Sequence, residues 1–130
     1  MADDVPQSPA DGHAPASGEP TISTHVLDTE AGKPAAGVHV TLSKLGEDER
    51  PIRLTQALTD DDGRVRDLLE RPLTPGTYRL EFVLGARGDD VADDRFFQRL
   101  SVDLRIDDVA RSYHVPMLVA PYSMTTYRGS

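Results

Sequence analysis

The chain has 130 residues, of which 38% are hydrophobic and 28% are charged, and its formal net charge is −8. This length and composition are typical of one small globular domain. The chain has no cysteine, which excludes disulfides and thiolate chemistry, and no apolar run reaches the roughly 18 residues that cross a bilayer. The negative charge argues against non-specific binding to nucleic acid or to an anionic membrane.

Residues 1–20 form an acidic leader that differs from the rest of the chain. They hold four acidic residues and four Pro, but no Lys, Arg or aromatic residue. Such a segment buries too little apolar surface to offset the entropy of ordering, and it resembles neither a secretory signal nor a transit peptide. We therefore predict a disordered leader over 1–20, one domain over 21–130 and a cytoplasmic location.

From Thr21 onward, hydrophobic residues recur at every second position, as in half-buried strands. Turn motifs rich in Asp, Gly and Pro at 31–34, 61–63 and 74–76 separate the alternating runs. Seven or eight short strands at this spacing predict an all-β fold, a β-sandwich. The alternating runs are Thr21–Asp28, Val38–Ser43, Tyr78–Leu84 and Leu100–Ile106.

Two segments depart from simple alternation. Between Ala86 and Gln98 the spacing predicts one short helix, which Gly88 and four Asp residues limit to one or two turns. The run from His114 to Ala120 is apolar enough for a buried strand. Because Pro116 cannot donate a backbone hydrogen bond, we expect an edge strand or a bulge there.

Histidines are the main candidates for proton transfer near pH 7 in this chain. Four are present. His13 lies in the leader, and His39 shares a face with Thr41 opposite apolar neighbours, so we expect both to be solvated. His25 and His114 sit in less clear patterns, and pattern alone favours a structural role for each.

A metal site and an anion clamp are the other candidates. His25 and Asp28 are three residues apart, so on a strand they face opposite sides and cannot hold one ion. A catalytic zinc needs three protein ligands, which predicts no metal site here. Arg64 follows the Asp61-Asp62-Gly63 turn. Pattern alone favours an exposed arginine, and the alternative is a guanidinium that clamps an anion or a carbonyl.

Four short motifs together resemble the transthyretin-related proteins, over residues 21–130. Three of them are similar to the branch of that family that hydrolyses 5-hydroxyisourate, whereas the thyroid-hormone carrier of the family does not keep this set. The motifs are Ser23-Thr-His-Val-Leu-Asp28 with Gly32-Lys-Pro-Ala35, then Asp62-Gly-Arg64, Tyr113-His-Val-Pro116 and Tyr127-Arg-Gly-Ser130.

The resemblance implies a two-sheet transthyretin-like β-sandwich with one short helix. It also implies a homotetramer, a dimer of dimers with its sites at the dimer–dimer interface, and no cofactor, nucleic acid or membrane. The implied reaction converts 5-hydroxyisourate to 2-oxo-4-hydroxy-4-carboxy-5-ureidoimidazoline in urate catabolism. The implied catalytic residues are His25, Arg64, His114 and Ser130, and the implied substrate contacts are His25, Arg64, Tyr127, Arg128 and Gly129.

Two non-catalytic functions remain open at this point. One is a small-ligand carrier of the transthyretin type, and the other is a sandwich module used for adhesion or assembly. The carrier would tolerate loss of His25 and His114, and the module would also tolerate loss of the segment 127–130. Which of the two histidines acts as the base is also open, because tautomers depend on partners that the sequence does not reveal.

Overall fold

The computed structural model describes residues 19–84 and 96–129. In this part of the chain nine strands form two sheets, which confirms the predicted β-sandwich. The count exceeds the predicted seven or eight strands. Four strands lie outside the segments that the sequence pattern indicated: Lys33–Pro34, Pro51–Leu58, Arg64–Val65 and Ser123–Thr126. The strands are β1 Ile22–Asp28, β2 Lys33–Pro34, β3 His39–Leu45, β4 Pro51–Leu58, β5 Arg64–Val65, β6 Gly76–Val83, β7 Arg99–Ile106, β8 Tyr113–Ala120 and β9 Ser123–Thr126.

One sheet has the order β2-β1-β8-β9, with β5 also paired to β1, and the other has the order β4-β3-β6-β7. β1 and β8 are parallel, and the other strand pairs are antiparallel. The parallel pair brings together two segments that are about 90 residues apart in the chain. The first sheet therefore combines motifs from both ends of the domain.

The core lies between the two sheets and follows the period of two. Along β1, Ile22, Thr24 and Val26 are buried while their neighbours are partly exposed. Burying one large aliphatic or aromatic side chain contributes about 1.5–3 kcal/mol. The Thr24 hydroxyl is buried on the core side of the sheet, and it donates a hydrogen bond to the Val115 carbonyl at 2.6 Å. The buried polar group therefore has a hydrogen-bond partner.

Two predictions fall wholly or mostly outside the described residues. The expected helix between Ala86 and Gln98 covers mainly residues 85–95, which the structure does not describe. The remaining positions, 96–98, precede β7 without helical structure. Residues 1–18 also lie outside the described part, so the disordered leader stays a prediction. Among the described residues, no helix is long and apolar enough to cross a membrane.

The expectation of an edge strand or a bulge at Pro116 was wrong, because β8 lies between β1 and β9. Continuing the β8–β9 register beyond Met117 and Thr126 would pair Pro116 with Tyr127, but β9 ends at Thr126. The Thr126 hydroxyl donates to the Pro116 carbonyl at 2.7 Å. The missing N–H of proline thus faces the end of a four-residue strand, where it interrupts only the last part of the ladder.

Candidate active site

The pairing of β1 with β5 brings His25 and Arg64 side by side. The two residues are register partners in this antiparallel pair, so their side chains project from the same face. Because Ile22, Thr24 and Val26 are buried in the core, His25 lies on the outer face. Arg64 is half-buried beside it and is not the exposed arginine that pattern alone favoured.

The turn before β5 holds Arg64 in place because Gly63 packs directly against β1. The Val26 N–H donates to the Gly63 carbonyl at 2.7 Å. Gly63 has a φ of +78°, and a Cβ there would lie 2.4 Å from the Val26 carbonyl oxygen, so only glycine fits. The Asp60 carboxylate accepts from the amides of Asp62 and Arg64 at 2.8 and 3.0 Å and closes the turn.

His114 reaches the same face through the parallel pairing of β8 with β1. It is the register partner of Ser23, and the Ser23 Oγ lies 2.8 Å from His114 Nδ1. Sequence reasoning missed Ser23 as a site residue. Its parity with His25 was visible in the pattern, but only the β1–β8 register, which joins residues 91 positions apart, reveals its partner.

The C-terminal segment folds back onto β8 at His114. The Gly129 N–H donates to the His114 carbonyl at 2.8 Å, and the two residues form an isolated bridge beyond the end of β9. A Cβ on Gly129 would lie 2.8 Å from the imidazole Cδ2 and 3.3 Å from Cγ. The Gly129 backbone therefore packs against the His114 ring. Ser130 lies outside the described residues.

Tyr127 and Arg128 lie on the other side of His114 from Arg64. Tyr127 is 54% exposed, and the Arg128 guanidinium carbon lies 5.4 Å from the centre of the Tyr113 ring. Both residues line a cavity of about 290 Å³ between β7 and the C-terminal segment. In this single chain they do not line the cleft that contains Arg64.

An open cleft of about 270 Å³ lies beside the cluster. It is lined by Ser23, Thr24, Arg64, Val65, Arg66 and His114. Arg66, which was not predicted from the sequence, adds a second guanidinium to this lining. His39 lies on the other sheet, half-buried, and takes no part in the cleft.

Both histidines of the cluster favour the neutral form. Burial is the largest cause of a lowered pKa for His25, followed by the positive charge of Arg64, while a backbone hydrogen bond to Asp62 opposes the shift. Burial also lowers the pKa of His114, with Arg64 and His25 adding to the effect and a backbone hydrogen bond to Ser23 opposing it. Neutral imidazoles near pH 7 are available as bases.

The charges around the cluster are mixed, because Arg64 lies near both histidines while the carboxylates of Asp60 and Asp62 act on His25. Within residues 19–84 and 96–129, no carboxylate lies within salt-bridge distance of the Arg64 guanidinium. In the same residues no group of three His, Asp or Glu side chains is arranged to hold a metal ion. An arginine without a carboxylate partner can offer its planar fork to a carbonyl or an anionic ring.

Comparisons with known proteins show which family this chain resembles. The model of the HIUase/Transthyretin family matches residues 22–129. A 5-hydroxyisourate hydrolase of Caulobacter vibrioides is 42% identical over 113 residues, which cover 84% of this chain and 97% of that protein.

Several solved structures share the fold. The structure of Klebsiella pneumoniae 5-hydroxyisourate hydrolase superposes with a TM-score of 0.74 and 36% identity, over 85% of this chain and 99% of that one. Sea bream transthyretin in complex with thyroxine gives a TM-score of 0.76 and 25% identity, over 84% of this chain and 94% of that one. The motifs, the two-sheet fold and the family match lead to one conclusion: the chain belongs to the HIUase/Transthyretin family.

Proposed function

We propose that this protein hydrolyses 5-hydroxyisourate to 2-oxo-4-hydroxy-4-carboxy-5-ureidoimidazoline. The observation that carries the proposal is the cluster of His25, Arg64 and His114 on one face, with both imidazoles favouring the neutral form. The relatives named above as 5-hydroxyisourate hydrolases support the choice of substrate.

The reaction opens a six-membered ring at an acyl carbon–nitrogen bond. A water molecule must lose a proton and attack the carbonyl carbon, negative charge builds on the carbonyl oxygen, and the leaving nitrogen must gain a proton. One neutral histidine can accept the proton from water and then, as an imidazolium, deliver it to the leaving nitrogen. The second histidine would hold the water.

The contacts of the two rings favour His114 as the base. In the proposed tautomer Nδ1 carries the proton and donates to the Ser23 Oγ, which leaves the lone pair of Nε2 to accept a proton from the attacking water. The Gly129 backbone packs on the other side of the ring and restricts its rotation. His25, which is less buried and lies next to Arg64, would orient the water and the substrate.

Arg64 is suited to the developing negative charge. A planar guanidinium can donate two hydrogen bonds to the carbonyl oxygen on which charge develops. Removing such a donor lowers kcat by about 10²- to 10³-fold. Substrate contacts from Tyr127 and Gly129 and a catalytic role of Ser130 remain part of the proposal, whereas Arg128 faces the Tyr113 ring on the inner side of the sheet. No cofactor is needed for this chemistry.

We also propose a homotetramer with its sites at the dimer–dimer interface, in the cytoplasm. Next to the cleft, the outer face of the first sheet carries Leu27, Leu118 and Ala120, all partly exposed in the single chain. A second subunit would cover this apolar surface and enclose the cleft, which raises the strength of its electrostatic interactions. Size-exclusion chromatography with light scattering tests the assembly directly.

The test of activity is the ultraviolet decay of freshly generated 5-hydroxyisourate. We expect the wild type to accelerate the decay far above the spontaneous rate. His25→Ala and His114→Ala should each lose about 10²–10⁴ in rate, the usual cost of a lost acid or base. His39→Ala is the matched control, since this half-buried histidine lies on the other sheet and should keep full activity.

A carrier would give a different result. If the wild-type protein binds the substrate or a urate analogue but the decay stays at the spontaneous rate, the hydrolase proposal fails. The protein would then be a small-ligand carrier of the transthyretin type. Near-wild-type turnover in either histidine variant, with unchanged circular dichroism, would remove that residue from the mechanism.

A further inference from the structure

Arg128 is directed away from the cleft by the register of its segment. The register that pairs Met117 with Thr126 also pairs His114 with Gly129, and between them it sets Arg128 opposite Val115. Val115 is buried in the core, on the opposite side of the sheet from His114. Successive residues of an extended segment face opposite sides of the sheet. The Arg128 side chain therefore projects from the inner side, as Val115 does.

On that side Arg128 meets a rigid aromatic ring. Its guanidinium carbon lies 5.4 Å from the centre of the Tyr113 ring, within the range of a cation–π contact. Tyr113 is 9% exposed, its hydroxyl donates to the Asp108 carbonyl at 2.6 Å, and its amide donates to the Thr21 carbonyl at 2.8 Å. The ring is therefore fixed by contacts that do not involve the C-terminal segment.

The segment after β9 has few regular backbone contacts to hold it. The ladder ends at Thr126, Pro116 has no N–H to offer, and the next bridge is the bond from Gly129 to the His114 carbonyl. Gly129 in turn packs against the His114 ring. A side-chain contact at Arg128, one residue before Gly129, is placed to keep this bridge closed.

We infer that Arg128 is a positioning residue, which stacks on Tyr113 and thereby holds Gly129 against the ring of His114. This inference rests on the proposed function for its effect on turnover, but the docking of the segment itself does not. Arg128 then acts through His114, and its contribution lies in kcat rather than in substrate affinity.

Arg128→Ala and Arg111→Ala form a matched pair for the test. The Arg111 guanidinium carbon lies 5.3 Å from the same Tyr113 ring, but Arg111 precedes β8 and has no connection to Gly129. The first measurement is hydrogen exchange of the Gly129 amide by NMR. The second measurement is of kcat and KM for 5-hydroxyisourate. Neither variant replaces a core residue, so both are expected to fold.

We expect Arg128→Ala to speed exchange of the Gly129 amide and to lower kcat, each by about two- to fivefold, with KM nearly unchanged. Arg111→Ala should leave both at the wild-type level. The inference is overturned if Arg128→Ala raises KM while Gly129 exchange stays constant, which would make Arg128 a substrate contact, or if both variants have the same effect. A faster-exchanging Gly129 in a protein without hydrolase activity would instead refute the proposed function and leave the positioning contact standing.

Discussion

Gly129→Ala should impair turnover because the new methyl group would collide with the ring of His114. Its Cβ would lie 2.8 Å from the imidazole Cδ2, 3.3 Å from Cγ and 3.3 Å from the His114 carbonyl oxygen, whereas ordinary contacts are 3.4–4 Å. The ring and the C-terminal segment must therefore separate by about 0.6 Å or more. Whether the ring or the segment moves, the contact between Gly129 and the His114 imidazole becomes longer, and this contact is the one that holds the ring in the cleft.

The expected loss follows from how steeply catalysis depends on geometry. A misplacement of about 1 Å can cost roughly 10² in rate. We therefore expect kcat/KM for 5-hydroxyisourate to fall by about 10- to 100-fold. The unfolding midpoint should change little, because Gly129 is joined to β8 by an isolated bridge and lies outside the core.

The assay compares initial rates of ultraviolet decay with Gly46→Ala as the control. A Cβ at Gly46, in the loop between β3 and β4 of the other sheet, would meet the flexible Asp48 carboxylate at 3.3 Å and the Arg50 carbonyl oxygen at an ordinary 3.9 Å. Far-ultraviolet circular dichroism checks the fold of both variants. If Gly129→Ala keeps kcat/KM within twofold of the Gly46→Ala value, the C-terminal segment does not hold His114, and its place in the site must be withdrawn.

Three further predictions concern charge, pH and the leader. Arg64→Lys should lose nearly as much kcat/KM as Arg64→Ala, since a point charge lacks the planar fork; restoration of activity by Lys would show that only the charge matters. Because burial and Arg64 lower the pKa of His25 and His114, kcat/KM should be level above pH 6.5 and fall only as the pH drops through the lower pKa values of the folded protein. The stability linked to these neutral histidines has the same sign, fully present above pH 6.5 and lost below it, and an acid limb of kcat/KM above pH 6.5 would contradict the assignment. Deleting residues 1–20 should leave turnover and Tm unchanged, and a marked drop in Tm on thermal melting would show that the leader packs against the domain.

The period of two in the sequence predicted β1, β3, β6 and β7 and the alternation of their faces, but not the eight-residue β4, whose burial does not alternate. Hydrophobic side chains on alternate positions of β1, β3 and β6 leave water for the core, and this preference is local to each strand. The same parity placed His25 on the face opposite Ile22 and Val26, and the structure shows that the face of Ile22 and Val26 is the buried one. The two-residue strands β2 and β5 could not be predicted in this way, because they hold no full period.

The glycine of the Asp62-Gly-Arg64 motif shows the limit of a local pattern. The sequence predicted a turn, but the reason for glycine is the carbonyl of Val26 on β1, which leaves no room for a Cβ. Pro116 is the opposite case, since its local chemistry predicted an edge or a bulge. The strand lies inside the sheet because its missing donor faces the short strand β9.

Residue identities alone could therefore predict the fold class and, through the resemblance of four motifs, the family, but not which face of β1 is buried. The register between distant strands was decided only by tertiary structure. The Ser23 contact with His114, the pairing of Arg64 with His25 and the stacking of Arg128 on Tyr113 all depend on that register. The physical reason is that strand periodicity arises within a few residues, whereas register minimises the free energy of packing across segments up to 91 positions apart.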